Sequence, residues 1–227
     1  MSILLIGASG LAREVLAAGI ADVAGVLDDD RALRGTMCGG APVLGGLDEA
    51  GRRPADRLLI CIGPGRGRRD VARRLAAAGI GPERFATFVA GGASVGTTST
   101  VGAGSILLDG AVVTADARLG RHVVVMPGCT ITHDDELADF ATLAAGVSLG
   151  GGVRVGEAAY LGMNASVHPG LVIGADATVG MGAAVLRDVP AGQTWVGVPA
   201  RPLASVVRTL PTRPDPILST SIQEVFA

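Results

Sequence analysis

An aliphatic residue recurs at every sixth position, and this repeat restricts the fold more than any other feature of the chain. The run begins at Val89 and ends at Val185, and each step is Val, Leu or Ile. The residue two positions before a step is usually small. A period of six predicts a parallel β-helix, in which each hexad supplies one short strand and one turn. Because three hexads close a triangular coil, residues 18 apart should stack at about the 4.8 Å spacing of neighbouring strands.

The residues before the repeat alternate between apolar runs and helical patterns. Strands are predicted at 3–6, 24–27 and 58–62, and helices at 11–18, 47–50 and 68–78. This β-α-β-α-β-α order predicts a small doubly wound, Rossmann-like α/β unit. We therefore expect an α/β domain at 1–84, a β-helix at 85–202 and a Pro-containing tail at 203–227, extended with a possible final helix.

Three loops should meet at one edge of the predicted α/β sheet, where doubly wound sheets bind their ligands. They are residues 7–10, 28–30 and 63–69. The first loop offers backbone N–H groups at a helix N-terminus, which suit a phosphate. The second offers carboxylates, which suit ribose hydroxyls. Each loop alone could equally be a tight turn, but together they favour a nucleotide-type ligand.

Composition limits the partners and the compartment. The net charge of −2 gives no indication of a nucleic acid or an anionic membrane as a partner. The three cysteines are odd in number and lack CxxC spacing, so we expect buried thiols in a reducing cytoplasm. We expect neither a signal peptide nor a membrane-spanning helix, since no apolar run approaches about 20 residues.

The strongest candidate for chemistry is His133, followed directly by Asp134 at a predicted corner of the coil. Asp135 beside them is the one charged residue at a small position of the repeat, and such a local breach is where function is expected. An imidazole next to a carboxylate suits a general base. The alternative is an exposed polar corner, and His122 and His168 could likewise be solvated turn residues.

The stacking rule places further residues near this candidate base. Gly151 lies 18 residues beyond His133, and its N–H could polarise a thioester carbonyl or the glycine could simply turn the corner. Met163 and Met181 are also 18 apart, and could flank a long thiol-bearing arm or merely pack in turns. The histidine spacings fit a three-histidine metal site poorly, so we expect no metal.

With these residues identified, the chain resembles the sialic-acid-type and bacillosamine-type sugar acetyltransferases of the left-handed β-helix superfamily, over nearly all of residues 1–202. The resemblance is carried by Gly-Ala-Ser-Gly at 7–10, Leu-Asp-Asp at 27–29, Ile-Gly at 62–63, Ile-Thr-His-Asp at 131–134, Gly-Gly-Val-Arg-Val-Gly at 151–156 and Gly-Val-Pro-Ala-Arg at 197–201. It implies a nucleotide-sugar-binding domain on a left-handed β-helix. It also implies a homotrimer with acetyl-CoA between neighbouring subunits.

The resemblance also assigns roles. His133 maps to the catalytic base, Asp134 to the acid that makes it more basic, and Gly151 to the amide that contacts the acetyl carbonyl. Met163 and Met181 map to positions that line the CoA arm. The positions that map to the nucleotide-sugar pocket are Ser9, Gly10, Asp28, Asp29 and Gly63.

Three positions depart from the family pattern. Members often carry histidine at the position of Leu11, and a second histidine that contacts CoA at the position of Thr142, so the resemblance makes Thr142 a candidate CoA-binding residue. The usual small residue two past the base is Asp135.

We therefore predict an enzyme that transfers acetyl from acetyl-CoA to an amine or hydroxyl of a nucleotide-linked sugar. A metal-dependent hydratase on the same coil is one alternative, and it would need three convergent histidines. A non-catalytic nucleotide-sugar-binding trimer is the other.

Overall fold

The chain begins with a five-stranded sheet flanked by helices. The computed structural model describes residues 2–203. The strands are β1 (Ile3–Ile6), β2 (Val23–Leu27), β3 (Met37–Cys38), β4 (Ala41–Gly45) and β5 (Arg57–Ile60), and the helices are α1 (Gly10–Ala17), α2 (Glu49–Arg52) and α3 (Gly65–Ala77). Short 3₁₀ turns cover Arg31–Leu33 and Pro82–Arg84. The sheet order is β3-β4-β2-β1-β5, and all neighbours are parallel except β3 and β4.

The elements of this unit agree with the predicted ones to within three residues at each end, and one hairpin has no predicted counterpart. The largest difference is at α3, which begins at Gly65 rather than at 68 and so takes in part of the predicted loop 63–69. The helix α2 starts two residues later than predicted, after the apolar Leu47. The hairpin β3–β4 has no predicted counterpart, because its first strand has only two residues and its second contains Pro42, which cannot donate to a ladder. Gly39 and Gly40 form its turn with positive φ angles.

From residue 88 onward the chain winds into a triangular coil with three parallel sheets, which we call the first, second and third faces. The first face contains Phe88–Val89, Ile106–Leu107, Val124–Val125, Thr142–Leu143, Tyr160–Leu161 and Thr178–Val179. The second contains Ser94–Val95, Val112–Val113, Thr130–Ile131, Ser148–Leu149, Ser166–Val167 and Ala184–Val185. The third contains Thr100–Val101, Arg118–Leu119, Glu136–Leu137, Arg154–Val155 and Val172–Ile173. Partners in each sheet are 18 residues apart, as predicted.

The repeat positions form one continuous core. Apart from the first coil, the aliphatic and small positions of the hexads are almost entirely buried together. Within the first coil, Val89 is 42% exposed because it lies at the open end, where no coil lies beneath it. The turns between faces form three edges. We call them the first corner (first to second face), the second corner (second to third face, including 132–135) and the third corner (third to first face, including 120–123 and 138–141).

The coil continues slightly beyond the predicted end at Val185. Val189 bridges to Ile173, and Thr194–Val196 pairs in parallel with Thr178–Val179. Trp195 closes the core at this end, and the strand Arg201–Pro202 pairs antiparallel beside it. The predicted tail lies outside the described residues from position 204 onward.

The α/β unit sits on the first face and the third corner. Leu11, Cys38 and Cys61 share an apolar cluster with Ile106 and Val124 of the first face. The buried guanidinium of Arg68, on α3, contacts both the α/β unit and the coil. The guanidinium donates to the carbonyls of Ile62, Gly63, His122, Phe140 and Ala141 and to the Thr142 hydroxyl. Burial lowers the pKa of Arg68 to about 9, so this junction still holds a cation at neutral pH.

No helix within residues 2–203 is long and apolar enough to cross a membrane.

Candidate active site

His133 lies on the second corner, in the turn that follows the strand Thr130–Ile131. Its side chain is 67% exposed, and Nδ1 lies 2.8 Å from Oδ2 of Asp134. Asp134 adopts a left-handed conformation with φ 62°, which short polar side chains tolerate in tight turns. The hydrogen bond with Asp134 raises the pKa of His133, and the charge of Asp135 adds to that effect. With Nδ1 facing the carboxylate, Nε2 is the nitrogen left to accept a proton.

Gly151 lies directly against the ring of His133, one coil further along, as the stacking rule predicts. A Cβ on Gly151 would lie 2.5 Å from Nε2, so only glycine leaves room for the imidazole in this pose. The Gly152 N–H donates to the His133 carbonyl at 2.9 Å, which ties the two turns together. The Gly151 N–H has no acceptor among the described residues, and is therefore free for a ligand.

Asp135 is not part of an exposed acidic corner. Its side chain is fully buried in the small position of the hexad, where Oδ2 accepts the Thr132 N–H at 2.7 Å and Oδ1 accepts the Val153 N–H at 2.8 Å. Burial raises the pKa of Asp135 to about 6, although the two backbone hydrogen bonds oppose that shift. The repeat pattern shows that Asp135 replaces the usual small residue, but the sequence does not predict its two hydrogen bonds to the backbone.

Met163 and Met181 occupy neighbouring coils of the first corner. They are 48% and 73% exposed, and the Gly182 N–H donates to the Met163 carbonyl, which keeps the two turns in register. Two exposed methionines in adjacent turns form an adaptable apolar strip. This strip lies on a different corner from His133, so one chain does not bring the two predicted groups together.

Thr142 is not available as an exposed contact for CoA within one chain. It is 3% exposed, because the α/β unit covers this part of the first face. Its hydroxyl accepts from Arg68 at 2.9 Å and donates to the Gly63 carbonyl at 3.2 Å. Both the threonine and the predicted pocket residue Gly63 therefore belong to the junction between the two parts of the chain.

A cavity of about 230 Å³ lies beyond the carboxyl ends of β1, β2 and β5, where the three predicted loops meet. It is lined by Gly7, Asp28, Asp29, Ile62 and Arg74, among others. A wider depression continues past Asp28 and Asp29 toward the side chains of Arg31 and Arg34. The arrangement offers backbone N–H groups, carboxylates and guanidinium groups around one concave edge.

The predicted carboxylates at this edge already hold the loops in place. Asp28 accepts the N–H groups of Ala8 at 2.8 Å and Asp30 at 2.9 Å. Asp29 accepts the Leu47 N–H at 2.9 Å and pairs with Arg74 at 2.8 Å. The Leu47 hydrogen bond is the main cause of the lowered pKa of Asp29, followed by that from Arg74. A carboxylate has about four acceptor positions, so each can still receive a ligand hydroxyl.

Ser9 and Gly10 form the start of α1. The Ser9 hydroxyl caps the helix by accepting the Ala12 N–H at 3.3 Å, and it donates to the Cys61 carbonyl at 2.6 Å. Serine is a preferred residue at this position because its oxygen satisfies one of the unpaired N–H groups of the first turn. Leu11 is buried in the apolar cluster instead of facing the cavity.

Sequence reasoning missed the arginines of this region. Arg74 lines the cavity and pairs with Asp29, but its only signal was a place in a basic helix. Arg68 in the same helix is buried at the junction, whereas Arg66 and Arg69 form ion pairs across it, with Asp176 and with Glu157 and Asp176 respectively. The contacts that separate these roles come from the coil, 50 or more residues away in sequence.

His122 is not a solvated turn residue as predicted. It is buried on the third corner, with the Phe140 ring stacked at 5.0 Å and the Phe85 ring edge-on at 4.5 Å between centroids. Burial, together with Arg68 and Arg121, lowers the pKa of His122 to about 4. Nδ1 of this ring is buried and has no hydrogen-bond partner within residues 2–203. His168 is exposed, and its Nδ1 lies 3.1 Å from the Pro169 carbonyl.

No group of three or more His, Cys, Asp or Glu side chains in the described part of the chain is arranged to hold a metal ion. The hydratase alternative needs such a convergence of all three histidines. Here His122 is buried on one corner, while His133 and His168 lie on another.

Comparison with solved structures identifies the class of protein. The acetyltransferase domain of PglB from Neisseria gonorrhoeae FA1090, in complex with acetyl coenzyme A, is 30% identical, with a TM-score of 0.80 over 89% of this chain and 98% of that chain. PerB from Caulobacter crescentus, in complex with CoA and GDP-perosamine, is 31% identical, with a TM-score of 0.81 over 90% and 98%. WeeI from Acinetobacter baumannii AYE is 30% identical, with a TM-score of 0.79 over 89% and 100%.

No protein-family profile matches the chain, and neither does any curated sequence. The repeated short parallel strands fit the left-handed β-helix of acyltransferases. The structural matches extend over almost the whole of each relative, at about the same identity in all three. The chain belongs to the family of sugar acetyltransferases that act on nucleotide-linked sugars.

Proposed function

We propose that the protein transfers the acetyl group of acetyl-CoA to an amino group of a nucleotide-linked sugar, with His133 as the general base. The observation that carries the proposal is the His133 corner. An exposed imidazole is held there by Asp134 and lies against Gly151, whose N–H has no acceptor within residues 2–203. PerB, solved with CoA and GDP-perosamine, provides the precedent for the two substrates.

The arrangement supports a direct transfer in one step. Nε2 of His133 takes a proton from the amine as its nitrogen attacks the thioester carbonyl, and the developing imidazolium is stabilised by Asp134. The Gly151 N–H would donate to the carbonyl oxygen as negative charge develops there. The C–S bond then breaks, and CoA leaves as the thiol after its sulfur receives the proton held on Nε2, which returns His133 to its neutral form. No acyl-enzyme is needed, and all three cysteines are buried away from this corner.

The N-terminal sheet is proposed as a Rossmann-like nucleotide-sugar domain, with boundaries at 1–84 and 85–202. The cavity beside the Gly7–Gly10 loop would hold the nucleotide, with the loop N–H groups near a phosphate. Asp28 and Asp29 would accept ribose or base hydrogens with their remaining lone pairs. Arg31, Arg34 and Arg74 add positive charge beside the diphosphate.

The location of these groups favours a homotrimer. The α/β unit covers the first face and the third corner, whereas His133 lies on the second corner and Met163 and Met181 on the first. A sugar bound to the N-terminal cavity would therefore reach His133 of a neighbouring subunit rather than its own. A neighbouring chain would also shield the exposed imidazole from water. The three free, buried thiols are consistent with a cytoplasmic location.

The test is a screen of GDP-, UDP- and dTDP-linked amino sugars with acetyl-CoA, in which released thiol is measured and the product is identified by mass. We expect one class of amino sugar to give thiol release well above hydrolysis, and matching hydroxyl sugars to give none. The proposal would be contradicted if no sugar in the whole set raised thiol release above the rate of hydrolysis. Light scattering at micromolar concentration should give three times the chain mass, and a monomer would remove the intersubunit site.

A further inference from the structure

The ladder of backbone hydrogen bonds is broken at the turn that carries His133. At the second corner, the first residue of a turn normally donates its N–H to the carbonyl 17 residues further on. This holds for Gly96 to Val113, Thr114 to Ile131, Gly150 to Val167 and His168 to Val185, at 2.8–3.0 Å. Thr132 instead donates to the Asp135 carboxylate. The strand pairing is correspondingly reduced to Thr130 with Ser148, without the second pair that the other coils have.

The acceptor left by this change is not lost. The Thr132 hydroxyl donates to the Leu149 carbonyl at 3.0 Å, in place of the Thr132 backbone N–H. The side chains of Thr132 and Asp135 together therefore replace one ladder bond with two side-chain bonds. The Thr132 N–H and the Leu149 carbonyl, which would otherwise bond to each other, therefore each keep a partner, which indicates a built arrangement rather than a defect.

Other polar residues at the small position do not cause such a break. Ser99 and Ser105 each accept the N–H of the residue 18 further on, Ala117 and Val123, at 2.9 and 3.0 Å. In both turns the normal ladder bond remains, from Gly96 and from Gly102. Asp135 makes the equivalent bond to Val153, but it has a second oxygen that reaches back to Thr132. This second oxygen distinguishes Asp135 from the two serines.

We propose that Asp135 is a positioning residue that holds the turn 132–135 out of the β-ladder and thereby sets the position of His133 over Gly151. The inference rests on the proposed role of His133 as the base. The mechanism is local. The hydrogen bond from the Thr132 N–H to the Asp135 side chain closes the turn around His133, and the Gly152 N–H holds the His133 carbonyl. Base catalysis is sensitive to such placement, since a displacement of about 1 Å can cost about 100-fold in rate.

The arrangement works against the stability of the coil. It buries a carboxylate without a cation and removes a ladder bond, and burial raises the pKa of Asp135 to about 6. The other charged groups that act on this carboxyl are His133, which opposes the shift, and Asp134, which adds to it. A residue kept only for folding should lower stability when it is replaced. A residue kept for the position of the base should lower activity without lowering stability.

The test is Asp135→Ser, which copies Ser99 at the same corner and keeps an acceptor for Val153. We expect kcat to fall about 10- to 100-fold with little change in the KM for acetyl-CoA. The midpoint of thermal unfolding should stay the same or rise by about 2–4 °C. A crystal structure should show the Thr132 N–H bonded to the Leu149 carbonyl at about 2.9 Å.

The pH profile adds a readout that a structural role would not change. Because the charge of Asp135 raises the pKa of His133, Asp135→Ser should move the acidic limb of kcat/KM to lower pH. Asp135→Asn keeps the shape of the side chain but replaces one of the two accepting oxygens by an NH2 group, which cannot accept an N–H. We expect kcat to fall as in the serine variant. Ser99→Ala is the matched control, two coils away, and should leave kcat unchanged.

Two outcomes would overturn the inference: full kcat in Asp135→Ser, or a fall in kcat accompanied by a clearly lower unfolding midpoint and an unmoved acidic limb. His133→Ala distinguishes this failure from that of the proposed function. If His133→Ala loses kcat while Asp135→Ser does not, only the role of Asp135 is wrong. If His133→Ala remains active, the proposed base is wrong and the inference falls with it.

Discussion

Two turns of the coil each hold a histidine against a glycine one coil away, and their chemistry is opposite. His133 lies against Gly151 on the second corner, and His122 lies against Gly104 on the third. Solvent and Asp134 surround the first ring, and the hydrogen bond to Asp134 raises its pKa. Two phenylalanine rings enclose the second, and burial lowers its pKa to about 4.

The difference shows that the repeat determines where a side chain stands, while its neighbours determine what it can do. Both histidines obey the same 18-residue stacking rule. The third corner is covered by the α/β unit, whose Arg68 adds a buried positive charge beside His122. The second corner is left uncovered within one chain. A neutral, enclosed imidazole packs as an aromatic ring, whereas an exposed one beside a carboxylate can accept a proton near neutral pH.

The largest expected effect comes from removing each ring in turn. His133→Ala should lower kcat by about 10²–10⁴-fold, the usual contribution of a general base. The KM for acetyl-CoA should change little, because the imidazole acts mainly in the transition state. Steady-state thiol release measures both constants.

His122→Ala is the matched control for that experiment. It should leave kcat within about threefold and instead lower the free energy of unfolding by about 2–4 kcal/mol, since it empties a buried aromatic site. The comparison between the two corners would be wrong if His122→Ala lost activity as His133→Ala does while remaining folded.

The pH dependence of stability should come from His122 rather than from His133. A buried neutral histidine with a pKa of about 4, against an ordinary value of 6.5, stabilises the fold fully above pH 6.5. That contribution is lost as pH falls from 6.5 to 4, and amounts to roughly 3 kcal/mol if the whole shift is realised. Unfolding midpoints at pH 7.5 and 4.5, at fixed protein concentration, measure the loss.

The variant His122→Leu isolates this effect, because leucine does not titrate. Asp135 acts in the opposite direction: its raised pKa makes protonation on acidification favour the folded state. The natural chain and His122→Leu both contain Asp135, so the difference between their losses of stability on acidification comes from His122. Equal acid sensitivity in His122→Leu and the natural chain would show that His122 is already solvated.

The repeat explains why so much of the coil could be predicted. The aliphatic and small positions fix the coil, its 18-residue register and the contact between His133 and Gly151, since all three follow from counting. The chemistry of the third corner could not be predicted, because Arg68, Phe85 and Phe140 meet His122 only through packing of the α/β unit on the coil. The burial of Thr142 could not be predicted for the same reason.

At the second corner, the sequence predicted where the residues lie but not the hydrogen bonds that they form. The sequence marks Asp135 as a break in the pattern, and a charged residue there reads most simply as exposed. Only the structure shows the carboxylate turned inward to the N–H groups of Thr132 and Val153. The roles of the site residues remain predictions for both corners, and the glycines offer a direct way to compare them.

A methyl group on each glycine should separate the two corners again. In Gly151→Ala the new Cβ would contact the His133 ring, which is exposed and can swing away, so kcat should fall by about tenfold while stability is kept. In Gly104→Ala the ring cannot move and the φ of +79° disfavours alanine, so about 1–2 kcal/mol of stability should be lost. Kinetics and thermal unfolding of both variants check this. An unstable Gly151→Ala with normal kcat would reverse the assignment.

The smallest expected effect is that of the carboxylate beside the base. In Asp134→Asn the amide oxygen can still accept from Nδ1, so the ring keeps its orientation and loses only a neighbouring charge. We expect kcat to fall by about tenfold or less, which is smaller than the effect of His133→Ala. Because Asp134 raises the pKa of His133, its neutralisation should lower that pKa and move the acidic limb of kcat/KM to lower pH. The unfolding midpoint should not change, since both side chains are largely exposed. Profiles of kcat/KM between pH 5 and 9 measure the shift. An acidic limb that stays in place, with kcat reduced, would mean that the limb reports a group other than His133.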